Sequence, residues 1–420
     1  MLESIYSIEG GERAQTAADA VARKSYGKLV AFLASRTHDV AAAEDALSEA
    51  FAAALSEWPR NGCPANPEGW LLTVARRKMI DVFRGQNRRH LVSVEIQSIA
   101  DVLAAAPTDT EIPDERLAMM FACAHPALDP AIRAPMILQA VLGLDAARIA
   151  SAFLASPAAM GKRLVRAKVK IRQTAIPFRV PCREELPARL DVVLQAIYAA
   201  FSEGWTDPGG ADVVRRDLAE EAIYLARLVT ELLPNEPESL GLLALLLHAE
   251  SRRRARRSLT GEFVPLAQQD PSLWNTDQID EAESLLHRAS SLGVIGRFQL
   301  EAAIQSAHAD RCRTGRHNWA FIIQLYEALF ALSQSPVVAI NRAIAIAELH
   351  GPAAGLDALS SLESDSRLAQ YQPYWAARAE LLTRSGAFTQ ASHAYEIAIG
   401  LERDEAVRRF LELRRSALPA

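Results

Sequence analysis

Wherever apolar residues recur along this chain, they recur at the three- and four-residue spacing of helices. Two stripes stand out between residues 20 and 57: Tyr26, Leu29, Val30, Phe32 and Leu33, then Ala46, Leu47, Ala50, Phe51, Ala54 and Leu55. The polar triplet Thr37-His38-Asp39 predicts the break between them and the cap of the second helix. The segment WPRNGCPANPEG, 58–69, carries three prolines and two glycines and predicts an ordered loop. Helical spacing then resumes from Trp70 to Arg84 through Leu71, Val74, Ala75, Met79, Val82 and Phe83, which predicts a compact three-helix unit.

A second helical block runs from Glu115 to about Arg172, in the order ERLAMMFACAHPAL, DPAIRAPMILQAVLG, LDAARIASAFL and SPAAMGKRLVRAKVKIR. Its last two members are a short helix and a longer basic one, joined by a turn around Ala155 to Pro157. That is the pattern of a helix-turn-helix, whose second member lies in the major groove. Prolines at 177, 181 and 187 mark the next boundary, and the remainder is again helical in pattern. Within it, residues 374–401 place Trp375, Ala379, Leu382, Gly386, Ala391, Tyr395 and Ala398 at the spacings of a tetratricopeptide repeat. Residues 336–362 repeat the pattern more loosely about 35 residues earlier, with Ala343, Gly351 and Leu359. Such pairs hide their apolar faces only by stacking, so residues 190–335 are expected to supply earlier units of one superhelix.

Composition agrees with an all-α fold: half of the 420 residues are apolar, aromatics make up 6%, and alanine outweighs β-branched residues. The length suffices for two or three domains. The boundaries expected are 1–90, an acidic linker at 91–115, 116–176, and 187–420. Charge changes the picture more. The chain carries a net −5, yet residues 60–90 hold seven Lys/Arg against two Asp/Glu, and residues 156–180 hold seven against none. Bulk attraction to nucleic acid is thereby excluded, and binding must come from local basic faces. Residues 91–115 are the counterpart, with six carboxylates and no Lys or Arg.

The most apolar segment, SLGLLALLLHAE at 239–250, is too short to span a bilayer, and no signal peptide pattern opens the chain, so a cytoplasmic protein without a membrane partner is expected. Cys63, Cys123, Cys182 and Cys312 lie far apart, as reduced thiols would. His308, Cys312 and His317 fall one ligand short of a structural zinc site. There is no phosphate-cradling glycine loop and no recognisable nucleophile with its base, so neither a cofactor, a metal nor catalysis is expected. The run SRRRARR, 251–257, reads as a solvated loop or helix end, with contacts to flanking DNA or to the acidic linker as alternatives.

Taken together, DVAAAEDALSEAFAAAL, GWLLTVARRKMIDVFR and the helix-turn-helix ending in KRLVRAK resemble bacterial sigma factors of the extracytoplasmic-function (ECF) group, region two followed by region four, over residues 20–175. The C-terminal half, through VLQAIYAAFSEGWTD, RLVTELLPNEPESLGLLALLLH and the repeats, resembles the subgroup with a long tetratricopeptide-like extension. The resemblance implies core RNA polymerase and promoter DNA as partners, with a further protein or an intramolecular contact for the C-terminal domain, which would regulate activity. It places Asp45, Ala46, Glu49 and Phe51 on the polymerase. It places Trp70, Arg76, Arg77, Lys78 and Arg84 at the minus-ten element, and Ser156, Lys162, Arg163, Arg166 and Lys168 at the minus-thirty-five element. The turn AFLASPAAM departs from the family in lacking its usual glycine. The competing reading is a tetratricopeptide adaptor, or a helix-turn-helix regulator that never meets polymerase.

Overall fold

A computed structural model describes residues 40–87, 112, 114–174, 180–205, 213–310, 314–315 and 318–419, together with a first helix, α1, in parts of 16–34. The described residues form helices and connecting turns with no strand, save for an isolated bridge between Arg257 and Phe263. The chain divides into two compact units, Met1–Ala200 and Phe201–Ala420. The division falls inside one helix and later than the proline cluster that marks a boundary in the sequence.

In the first unit α1 is followed by α2 (Val40–Asn61), α3 (Pro67–Asn87), α4 (Glu115–Cys123), α5 (Pro130–Ala140), α6 (Ala146–Ala152) and α7 (Pro157–Thr174), and α8 (Pro187–Trp205) begins there. Aspartates that precede the apolar runs cap three of these helices: Asp114, Asp129 and Asp145 accept hydrogen bonds from the first free N–H groups of α4, α5 and α6. The loop expected at 58–69 is shorter. α2 continues through Pro59 to Asn61, because a proline in the last turn removes only one hydrogen bond, and Pro67 opens α3, where its missing N–H has no helical partner to lose.

The core of this unit joins the two helical blocks. Leu29, Leu33, Leu47 and Leu71 are fully buried, as are Met120, Phe121, Ile137 and Leu138. Where α1 meets the end of α5, a Cβ on Gly27 would stand 1.6 Å from the carbonyl oxygen of Val141, so the two backbones touch. Arg189, 3% exposed, donates to the carbonyl of Phe121 at 3.0 Å and so fixes the start of α8 on α4.

The second unit contains α9 (Val213–Leu232), α10 (Pro237–Ser251), α11 (Thr276–Ser291), α12 (Arg297–Ala309), α13 (Trp319–Ser333), α14 (Pro336–His350), α15 (Pro352–Ser360), α16 (Gln372–Arg384), α17 (Phe388–Leu401) and α18 (Glu405–Ser416). The apolar run at 239–250 is the central helix α10, buried on all sides and packed by α9, α11 and α12. No described helix is long and apolar enough to cross a membrane. The two repeat-like segments form helical hairpins, α14 with α15 and α16 with α17. Their turns fall at Gly351 and Gly386, both at positive φ, 90° and 82°, where a Cβ would be strained. The marked apolar positions are buried as their spacing requires: Ala343 and Leu359 in one cluster, Ala379, Leu382, Ala391, Tyr395 and Ala398 in the next.

The basic run 251–257 is not a solvated loop. It folds into a short 3-10 turn, Arg253–Arg256, in which the guanidinium groups of Arg253 and Arg256 lie over the ring of Trp205 at 5.2 and 4.3 Å. Arg257 pairs with Asp404, which also caps α18. Only Arg254 of the run is exposed. Burial and the neighbouring arginines push the Arg256 guanidinium down to about 10. Arginine tolerates such crowding because its intrinsic pKa is so high and its flat face stacks on aromatics. Of the three residues that suggest a metal site, Cys312 and His317 lie outside the described residues; His308 stands edge-on to Trp319.

Two outcomes follow from this packing. Gly27→Ala forces a methyl into backbone and should destabilise the first unit by about 2 kcal/mol or more. Gly161→Ala, whose nearest neighbour would be Ala146 at 3.9 Å, should leave it unchanged or add up to about 1 kcal/mol, both read by urea unfolding. The second concerns His248 of α10, 2% exposed, whose ring nitrogens accept and donate nothing. Glu283 stands 3.6 Å away, beyond hydrogen-bond reach, so burial, aided by the charge of Arg252, holds the imidazole down at about 4 instead of 6.5. The unfolded chain therefore binds the extra proton first, and stability is lost as pH falls below 6.5. A His248→Leu protein should lack this slope, which amounts to about 2 kcal/mol between pH 6.5 and about 5, measured as unfolding free energy against pH.

Candidate nucleic-acid interface

The acidic helix α2 presents two of its four expected contact residues to solvent. Asp45 and Glu49, four residues apart, are exposed on one face. Ala46, in contrast, is 6% exposed and belongs to the core, and Phe51 is half-buried, its ring stacked on Tyr26 with centroids 6.3 Å apart. Both lie on the apolar stripe that holds α2 against α1, and Ala46 is withdrawn from any partner. Glu49 Oε2 lies 3.1 Å from Lys78 Nζ across the α2–α3 contact, with both side chains about half exposed.

On α3 the expected basic row divides. Arg77 and Lys78 are exposed. Arg76 turns inward, its guanidinium 4.9 Å from the centroid of Phe32 and its Nε buried, which makes it a packing residue of the α1–α3 contact rather than a surface cation. Trp70 is half-buried and meets Trp58 edge-on, with centroids 5.5 Å apart. The side chain of Arg84 lies outside the described residues.

α6 and α7 are joined by a tight turn and pack against each other. The left-handed residue that a glycine would usually supply is Leu154, at φ 49°. The amide of Ala155 closes the turn on the carbonyl of Ala150 at 3.0 Å. Ser156 then caps α7, its Oγ accepting from the amide of Ala159 at 3.3 Å, so this expected contact residue is exposed but already has a structural role. Met160, Leu164 and Ala167 fix the inner side of α7, each 6% exposed or less. Lys162, Arg163 and Arg166 stand outward.

Lys168 does not join them. Its Nζ donates to Glu44 Oε2 at 2.6 Å, with the two side chains 27% and 12% exposed. Glu44 is the residue that motif reasoning missed. A signal was present: Glu44 shares a stripe with Leu47 and Phe51, and Lys168 shares one with Met160 and Leu164, so each places a charge of opposite sign on a buried face. The carboxylate also bears on its surroundings. Burial, then the Glu44 charge, pushes the Tyr26 hydroxyl up to about 12 and raises the Cys123 thiol well above its ordinary range, which leaves that thiol inert. Among the described residues no group of three His, Cys, Asp or Glu is placed to hold a metal ion.

Two parts of the chain match known families: residues 21–89 match sigma-70 region 2, and residues 189–290 match a family of unknown function, DUF6596. An uncharacterized protein of Rhizobium meliloti (strain 1021) is 37% identical over 384 residues, which cover 90% of each chain. No solved structure matches. The chain and the Rhizobium protein belong to one family, and the region 2 match supports a sigma-70-family factor with a role in transcription initiation.

Because Lys168 and Glu44 are largely withdrawn from water, losing one partner strands the other. Lys168→Leu or Glu44→Leu alone should each cost roughly 1–3 kcal/mol of unfolding free energy, and the double variant should cost clearly less than their sum. Strict additivity would show that the pair contributes nothing.

Proposed function

We propose that this chain is a sigma factor of the ECF subgroup with a tetratricopeptide-like extension, which binds core RNA polymerase and directs it to promoters. In this reading residues 115–174 act as region four, and the C-terminal hairpins regulate activity. α2 docks on polymerase through Asp45 and Glu49. α3 meets the minus-ten element through Arg77, Lys78 and Arg84, with Trp70 at the rim, and α7 meets the minus-thirty-five element through Lys162, Arg163 and Arg166. Polymerase does the chemistry, and the factor supplies position and sequence choice.

One observation carries the proposal: in a chain of net charge −5, α7 turns Lys162, Arg163 and Arg166 to solvent with no described acidic partner, while Asp45 and Glu49 are turned to solvent on α2. Phosphate contacts of this kind position a protein on duplex DNA. The C-terminal hairpins contribute a cleft of about 600 Å³ lined by Tyr374, Trp375, Arg378 and His393, which suits a peptide-sized partner.

Reconstituted transcription with core polymerase on the organism's own promoters tests this directly. The full chain should direct initiation, and Asp45→Lys, which breaks no described contact, should abolish co-purification with core polymerase and reduce output at least tenfold. A chain that never directs initiation, or whose polymerase association ignores Asp45→Lys, would leave the adaptor reading in its place.

A further inference from the structure

The outward face of α7 carries more than charge. Ala158, Lys162, Val165 and Val169 follow one another at four-, three- and four-residue steps, so they form a single stripe along the helix, with Arg163 and Arg166 beside it. Val165 is 62% exposed and Val169 46% exposed, while the inner side of α7 is satisfied by Met160, Leu164 and Ala167. Neither valine is needed for packing. Neither helps the helix, since a β-branched residue at an exposed helical position costs about 0.5 kcal/mol relative to alanine. Two exposed aliphatic side chains beside a cationic arc also weaken its hydration. Their placement suits a partner that sets an apolar surface next to an anionic one.

Duplex DNA seen from the major groove has that character: phosphates line the two walls, and each thymine projects a methyl group from the floor. Lys162, Arg166 and Arg163 fan out on one side of the stripe, where they can meet the phosphates of one wall. Val165 borders that arc, on the stripe that begins at the exposed N-terminal end of α7, the end that helix-turn-helix docking brings nearest the bases. Val169 is one turn further along, where the helix leaves the groove floor. We propose that Val165 is a specificity-determining residue that selects a thymine within the duplex bound by α7, through contact between its methyl groups and the thymine C5 methyl. The inference rests on the reading of α7 as the element that meets the minus-thirty-five duplex, and extends it by naming a base and the residue that reads it.

Deoxyuridine differs from thymidine only in lacking that methyl group, so it isolates the contact. The full chain would first be used to enrich bound duplexes from a random library. The best duplex would then be resynthesised with each thymine replaced singly by uracil, and dissociation constants measured at fixed salt. Burial of one methyl is worth about 0.8 kcal/mol, which corresponds to roughly a three- to fivefold loss of affinity at one position. Val165→Ser should bind the thymine duplex more weakly by a similar factor and no longer distinguish uracil there. Val169→Ser should keep the distinction. The side chain is exposed, so circular dichroism should show the variants folded as the parent. If the parent enriches a sequence but is indifferent to uracil at every position, or Val165→Ser still discriminates at the same thymine, the assignment to Val165 is overturned while DNA reading by α7 stands. Absence of any enriched sequence would overturn both.

Discussion

A lysine ammonium held 2.6 Å from a carboxylate, with both side chains largely out of water, joins the two helical blocks of the first unit. Lys168 comes from the basic helix α7 and Glu44 from the acidic helix α2, residues 124 positions apart. The backbone contact of Gly27 on Val141 sets the distance at which the blocks meet, and the ion pair sets the rotation of α7 about its own axis. With Met160, Leu164 and Lys168 turned inward, Lys162, Arg163, Val165 and Arg166 can only turn out. The composition of the interface is thus decided by what the interior requires.

The same logic separates the basic regions of the chain. Local density of basic residues is greatest at 251–257, yet that run is spent on the interior of the second unit: Trp205 takes two guanidinium groups on its ring, and Asp404 takes a third. α7 is less dense but has no described acid on its outward face. Charge availability, and not charge count, is what marks a surface for a polyanion. Arg76 teaches the same lesson on α3, its guanidinium folded over Phe32.

Much of the fold was legible in the sequence because helical periodicity is a local signal. The paired turns at Gly351 and Gly386 and the buried positions of the last hairpin sit where spacing places them. The reach of α2 through Pro59 was not legible, since a proline in a final turn looks the same as one in a loop. Leu154 in the left-handed region was hidden for a related reason: its side chain is exposed, and the hydrogen bonds of the turn hold it in a conformation that local preference disfavours. Of the candidate interface, residue types were readable but orientation was only partly so. Ala46 and Phe51 belong to a stripe that is visibly apolar, and Glu44 and Lys168 stand on buried stripes, but their pairing depends on the meeting of two segments that no local pattern connects.

The central claim is that α2 faces polymerase while α7 faces DNA. Site-specific photo-crosslinking in the assembled complex tests it most directly. A crosslinking amino acid would be introduced at position 45 or at position 163 of the full chain, and the chain mixed with core polymerase and promoter DNA. The account predicts that position 45 captures a polymerase subunit and that position 163 captures the upstream promoter duplex. Capture of DNA from position 45, or of polymerase alone from position 163, would contradict it.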